Sequence, residues 1–220
     1  VNLVARIVDL PSAFSIYLKF VILGQEIIVG ISAHTNEAGA HAVARAFPEY
    51  ATSIVKLPQP FRSLKDAVGV ASRLLYFILM AFQYEYAVVS QIPRSFEEFL
   101  MSPDANVPGK KGGKFNYEEA CNEREKFVEA LRQNGVDVLE MEADERHPEC
   151  VKVDDTAVII NGTALMCNPY RCHRQGEVNL IRHTLKKELG IKIVELNTEN
   201  AQVEGSDVLF TGNLTHVQVM

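Results

Sequence analysis

Short runs of Val and Ile alternate along this chain with longer stretches of helical periodicity, and this alternation constrains the fold more than any other feature. Seven runs have the length and β-branched content of strands: Glu26–Ile31, Thr52–Leu57, Tyr86–Ile92, Val136–Met141, Ala157–Ile160, Ile191–Leu196 and Asp207–Phe210. Apolar or small residues recur at helical spacing in three segments between them: Glu37–Phe47, Tyr117–Gln133 and Glu177–Leu189. Strand–helix–strand alternation predicts an α/β fold.

The composition excludes several functional classes. The 220 residues include 22 basic and 28 acidic side chains, a net charge of −6, whereas a general nucleic-acid-binding protein needs a basic face. The four cysteines contain no CxxC pair and are too sparse for a disulfide scaffold, so a structural zinc site is not expected. No apolar stretch approaches the roughly 20 residues of a membrane span, and no secretory signal is visible. We therefore expect a cytoplasmic protein that binds neither membrane nor metal.

An acidic segment leads directly into one of the predicted strands. Asp154 and Asp155 precede the run Ala157–Ile160, and Glu149 lies five residues before Asp154. Burying such acids costs several kcal/mol each unless they are paired, and a planar guanidinium suits them because its fork of N–H donors matches a carboxylate. The alternative is a solvated turn before the strand.

A polar loop follows the next apolar stretch and contains Arg174. Such a loop can offer an arginine to a substrate carboxylate, and the alternative is a surface arginine. His173 follows Cys172 directly, which fits no standard zinc pattern. The sequence contains no nucleophile elbow, P-loop or dinucleotide-binding glycine motif.

Five separated segments carry a joint pattern: Tyr86–Ser95 (YAVVSQIPRS), Glu149–Val158 (ECVKVDDTAV), Thr163–Arg174, Asn200–Gly212 (NAQVEGSDVLFTG), and Val29–Ser32 with Thr35, Asn36 and Gly39. Together they resemble the dimethylarginine dimethylaminohydrolase family of the guanidine-modifying, or pentein, superfamily. The resemblance covers about 24–65 and 80–212. It implies a propeller of ββαβ modules around a central site. We therefore expect a partial, incomplete α/β propeller with exposed strand edges.

The order of the segments differs from that of the family. There, the stretch resembling 25–57 follows the one ending at Gly212, whereas here it comes first. We assign 24–65 to a fragment of the second module and 80–212 to the N-terminal module with the start of the second, and leave 1–23, 66–79 and 213–220 unassigned. We interpret this order as parts of two neighbouring copies joined, the second beginning at Met80, rather than as a circular permutation.

The resemblance implies a chemistry and a small-molecule substrate. A cysteine thiolate attacks the guanidinium carbon of an N-methylated arginine, a histidine protonates the departing methylamine or dimethylamine, and water releases citrulline. No cofactor is needed. Asp155 matches the guanidinium-binding aspartate, Asp154 stands where a glutamate is usual, and Glu149 stands where an aspartate is usual. Arg174 matches an arginine that binds the substrate carboxylate.

The remaining matches depart from the family. His34 replaces a second substrate-binding arginine, and Met101 falls near a lid leucine. Ser63 takes the place of the catalytic histidine, and serine cannot supply the proton chemistry of an imidazole near neutral pH. No cysteine matches the nucleophile. We therefore expect no hydrolase activity from this chain, with a non-catalytic arginine-analogue-binding protein, a misjoined fragment or an unrelated α/β protein as alternatives; the oligomeric state stays open.

Overall fold

The computed structural model describes residues 26–57, 61–66, 85–101 and 115–210. Within these ranges the chain forms eight strands: β1 Glu26–Ile31, β2 Ala51–Lys56, β3 Tyr86–Ser90, β4 Asp137–Met141, β5 Ala157–Ile160, β6 Thr163–Met166, β7 Lys192–Val194 and β8 Val208–Phe210. The same ranges contain four α-helices: α1 Glu37–Ala46, α2 Ser95–Met101, α3 Tyr117–Gln133 and α4 Gln175–Lys187. In the described part of the chain, no helix combines the length and apolarity that a bilayer span requires.

The strands form three small sheets, and one of them is a complete ββαβ module. In this sheet β6 pairs antiparallel with β5 and parallel with β7, and α4 connects β6 to β7. The hairpin between β5 and β6 turns at Asn161 and Gly162, which both have positive φ. The parallel pair is joined through a helix because parallel strands cannot be linked by a tight turn.

A second module is assembled from the two ends of the described chain. Strand β8 pairs antiparallel with β1, which pairs parallel with β2, and α1 connects the last two. This sheet repeats the topology of the first module, although its first strand comes last in the sequence. The third sheet is the parallel pair β3–β4 with α3 between the strands. The predicted α/β fold built from ββαβ modules is thus confirmed in the described residues.

Strand β5 is buried on both faces and holds the modules together. Ala157 and Ile159 pack into one hydrophobic cluster with β3 and α4. Val158 and Ile160 pack into a second cluster with β1 and α1. All four residues of β5 are buried, which explains why its sequence is continuously apolar instead of alternating.

The segment 26–66 is fastened to the loop before β8 by a network around Asn36. The Asn36 side chain caps α1 by accepting from the Gly39 N–H at 2.8 Å, and its Oδ1 also accepts from the Gln202 N–H at 3.1 Å. Its amide donates to the Asn200 carbonyl at 2.8 Å. A Cβ added to Gly39 would lie 2.0 Å from the Gln202 carbonyl oxygen, so only glycine permits this approach.

Most predicted elements are confirmed within a few residues at each end, and β1, β5 and α3 match at both ends. Helix α2 was not predicted, and β6 was absent from the predicted strands. The boundary inferred at Met80 lies outside the described residues. The proposed division into module fragments stays a prediction.

Replacing Gly39 with alanine should destabilise the protein, although alanine is the better helix former by about 1 kcal/mol. The added methyl group collides with the Gln202 carbonyl. We expect a loss of about 2 kcal/mol in the free energy of unfolding, measured by urea denaturation. His41→Ala, on the exposed side of the same helix, is the control and should not destabilise. A Gly39→Ala protein as stable as the parent would contradict the packing described here.

Candidate functional site

One cavity of about 210 Å³ gathers nearly all the side chains that sequence reasoning selected. Six of them line it: His34, Ser63, Glu149, Asp154, Asp155 and Arg174. Met101 ends α2, and its side chain lies outside the described part. Residues from 26–57, 61–66 and 115–210 therefore line the cavity together.

The acids are presented by two consecutive 3₁₀ turns that lead into β5. Glu149 lies on the turn Pro148–Val151, and Asp154 and Asp155 lie on the turn Val153–Asp155. The Thr156 hydroxyl donates to the Val153 carbonyl at 2.6 Å and closes the second turn. Gly205 packs against this turn so closely that a Cβ there would lie 1.9 Å from the Asp154 carbonyl oxygen. The local backbone, and not only the side chains, is therefore fixed.

Arg174 is a buried cation held between two carboxylates. Its Nη1 donates to Asp155 Oδ2 at 2.7 Å, and its Nη2 donates to Glu177 Oε2 at 2.9 Å. Its Nε also faces Glu177, and Nη2 reaches the Lys152 carbonyl at 3.2 Å. Burial alone would lower the pKa of Arg174, but the charges of Asp155 and Glu177 outweigh it and raise that pKa. The alternative of a surface arginine is wrong, because the side chain is 2 % exposed.

Asp155 is buried and retains one unused acceptor. Its Oδ2 is bonded to Arg174, whereas its Oδ1 is buried and accepts no hydrogen bond from the described residues. The alternative of a solvated turn is therefore wrong for Asp155. Asp154 is more open and pairs with Lys65 at 3.2 Å near the surface. An unsatisfied buried carboxylate oxygen costs about 1–3 kcal/mol or more, which a donor from a ligand would recover.

Glu149 is the most heavily paired acid of the cavity. It is 1 % exposed and accepts from Lys152 Nζ at 2.5 Å, Arg171 Nη1 at 3.0 Å and His173 Nε2 at 3.0 Å. Burial works to raise the pKa of Glu149, but the hydrogen bond and charge of Lys152, with His173 and Arg174, lower it to about 2. Sequence reasoning did not select Lys152 or Arg171, which also line the cavity. The position of Lys152, three residues after Glu149, was the available signal.

His34, which lines the same cavity, is hydrogen-bonded to the buried carboxylate of Glu204. Its Nδ1 lies 2.9 Å from Glu204 Oε2, and its ring stacks on Tyr170 with centroids 6.3 Å apart. The hydrogen bond that the Glu204 carboxylate accepts raises the pKa of His34 above its ordinary value, against the opposing effects of burial and of the Arg171 charge. Glu204 was not selected individually, although it lies in the motif at 200–212. Its own N–H donates to the Thr35 hydroxyl, which fixes its position.

Ser63 lines the cavity, and the buried Asp207 holds its segment in place. Asp207 accepts from the Leu64 N–H at 2.9 Å and from the Ser32 hydroxyl at 2.6 Å, and so holds the Ser63 segment against β1. The Ser63 hydroxyl accepts from the Asp66 N–H at 3.2 Å. All four cysteines lie in the described residues, and none lines this cavity. Burial raises the pKa of the Cys167 thiol, which disfavours the reactive thiolate.

Solved structures define the class of fold. A citrulline complex of the dimethylarginine dimethylaminohydrolase from Pseudomonas aeruginosa matches with a TM-score of 0.50 and 18 % identity over 62 % of each chain. An adduct of a dimethylarginine dimethylaminohydrolase with S-methyl-L-thiocitrulline matches equally well, again over 62 % of each chain. This chain is therefore an α/β protein of the pentein fold.

The sequence comparisons identify the family. The model of the family "N,N dimethylarginine dimethylhydrolase, eukaryotic" matches residues 104–219, more than half of the chain. The chain belongs to this family. It is 45 % identical over 83 residues to the human "Putative hydrolase DDAH2", covering 37 % of this chain and 29 % of that protein. It is 27 % identical over 101 residues to the Pseudomonas aeruginosa dimethylaminohydrolase, covering 46 % of this chain and 39 % of that enzyme. The chain thus spans less than half the length of these relatives.

Removing the Glu204 charge should lower the pKa of His34. In the parent protein we expect this pKa above its ordinary value, and in Glu204→Gln we expect it to fall, because burial and Arg171 are then opposed by Asp207 but no longer by Glu204. Two-dimensional NMR of the imidazole resonances measures both values. The exposed Glu199→Gln is the control and should leave His34 unchanged. Since the folded-state pKa is raised, the pair stabilises the protein at low pH, and its contribution is lost as pH rises through that pKa.

Proposed function

We propose that the cavity binds the guanidinium group of an N-methylated arginine through Asp154 and Asp155. The observation that carries this proposal is the unused, buried Oδ1 of Asp155 in a cavity that also exposes the Asp154 carboxylate. The Asp155 Oδ1 atom lacks a hydrogen-bond donor, and a guanidinium supplies planar N–H donors together with a positive charge. Family membership supports the same ligand class.

The contacts within the cavity rank the three acids as ligand acceptors. Glu149 already accepts from three donors, two of which are the cations Lys152 and Arg171, so a further cation gains little there. Asp154 pairs with Lys65, whose side chain is 42 % exposed, and such an exposed pair contributes at most about 1 kcal/mol. A ligand therefore displaces Lys65 at low cost, while Asp155 Oδ1 has no hydrogen bond to the described residues to give up. Asp154 and Asp155 are accordingly the predicted guanidinium ligands.

We further propose that this chain binds without hydrolysing. The reaction inferred for the family needs a thiolate nucleophile and a proton donor, and it releases citrulline with methylamine or dimethylamine. Ser63 stands at the predicted histidine position, and the cysteines lie away from the cavity. We expect no cofactor, and place the protein in the cytoplasm.

Calorimetric titration with asymmetric dimethyl-L-arginine tests the binding. The parent protein should bind, and Asp154→Asn and Asp155→Asn should each weaken binding at least about tenfold, or about 1.4 kcal/mol, because a charge-assisted hydrogen bond is lost. Asp137→Asn, on an exposed strand position outside the cavity, is the matched control. Two variants are needed because Asp155 also pairs with the buried Arg174, so Asp155→Asn could weaken binding by destabilising the fold. Asp154 is partly exposed, and the Asp154→Asn variant should fold normally.

The same samples decide between binding and catalysis. Incubation of the parent protein with dimethylarginine, followed by a colorimetric assay for citrulline, should give no product above the blank. Measurable citrulline that disappears in Asp154→Asn would show that the chain is an active hydrolase. Absence of any heat on titration, with the protein shown to be folded by circular dichroism, would contradict the binding proposal.

A further inference from the structure

We propose that His34 is a proton-dependent switch for the guanidinium site: its neutral form favours the binding of a cationic ligand, and its protonated form opposes it. This inference rests on the proposed function, because it concerns what controls the occupancy of the same site. An imidazole changes its charge near neutral pH. His34 lines the cavity together with Asp154 and Asp155, so its charge acts on a ligand bound there.

The surrounding structure holds His34 at the cavity. The Ser32 hydroxyl accepts from the His34 N–H at 2.9 Å and from the Thr35 N–H at 3.3 Å, and it donates to the buried Asp207 at 2.6 Å. On another side, the His34 ring stacks on Tyr170. The loop between β1 and α1 is therefore tied to the turn before β8. We expect protonation to change the charge of His34 and not its position.

Charged groups from two other elements face the His34 imidazole. From the segment before β8, the Glu204 carboxylate lies 2.9 Å from Nδ1, and Asp207 adds a second negative charge. From the loop between β6 and α4, Arg171 adds a positive charge. The hydrogen bond and charge of Glu204, with Asp207, raise the pKa of His34 against burial and Arg171. His34 therefore changes its charge at a higher pH than an unperturbed histidine, closer to neutrality.

The charge balance of the cavity depends on the His34 proton. The described residues that line the cavity include five carboxylates and, apart from His34, four cations, Arg62 and Arg171 among them. At their usual charges near neutral pH, these groups leave one net negative charge when His34 is neutral and none when it is protonated. A guanidinium is therefore attracted more strongly above the pKa of His34 than below it. By linkage, a bound cation makes His34 a stronger acid by the same factor.

Two other titratable groups lie close to the cavity and must be separated from His34. His173 bonds to Glu149, although it is not among the described residues that line the cavity. Burial raises the pKa of Glu177, which pairs with Arg174. Protonation of either group would also make this region more positive. A pH-dependent affinity alone does not identify the switch, whereas removing the two imidazoles one at a time does.

Calorimetric titration of the full chain with N-butyl-N′,N′-dimethylguanidine tests the switch, because this ligand stays cationic and has no carboxylate. The parent should bind it about three- to tenfold more tightly at about one pH unit above the pKa of His34 than at one unit below. His34→Gln, which is always neutral, should bind tightly at both pH values, and His34→Lys, which is always charged, should bind weakly at both. His173→Gln and the exposed His183→Gln are the controls and should keep the parental ratio.

NMR titration of the imidazole resonances gives a second readout that needs no variant. Saturation with the same ligand should lower the pKa of His34 and leave that of His183 unchanged. The proposal is overturned if the affinity is equal at both pH values or rises on acidification, if the pH dependence persists in His34→Gln, or if the ligand leaves the pKa of His34 unchanged. Failure of the folded parent to bind at any pH is a different result, which overturns the guanidinium site and this inference with it.

Discussion

The buried guanidinium of Arg174 is the interaction on which the cavity depends. It links the 3₁₀ turn before β5, through Asp155, to the first turn of α4, through Glu177. A buried ion pair of this kind contributes little net stability compared with apolar packing, but losing one partner is strongly destabilising. Its consequence here is geometric. Because Arg174 occupies only one oxygen of Asp155, the other oxygen stays available in a position that the backbone fixes.

The packing around β5 does not depend on the order in which the segments follow one another in the sequence. Strand pairing, the Asn36 network and the buried Asp207 join residues 26–57 and 61–66 to β8 and to the loop before it. None of these contacts requires a covalent link between β8 and β1. Contact in space, not succession in sequence, closes the module. His34 and Ser63, which precede β3 in the chain, therefore line one cavity with residues that follow β4.

Sequence reasoning predicted the elements wherever local signals were strong. Helix α3 was predicted with both ends because apolar or small residues recur at helical spacing from Tyr117 to Gln133, with Gly135 following. In the structure Asn116 caps its first turn, and Gly135 has a positive φ. Helix α2 was missed because seven residues carry too little periodicity to distinguish a helix from a loop. The motifs brought the acids, Arg174 and His34 to one site. They did not predict which cation pairs with which acid, because Glu149 meets Arg171, and His34 meets Glu204, only in the folded chain.

The positions of the protein's own cations also explain why the three acids of the cavity differ as acceptors for a cationic ligand. Glu149, Asp154 and Asp155 each face a cation of the protein, so acidity alone does not make any of them a ligand site. A cationic ligand gains most where an acceptor is buried and unused, and least where three donors already converge. The pairing within the cavity therefore distinguishes Glu149, where three donors already converge, from Asp155, which has one oxygen without a donor among the described residues.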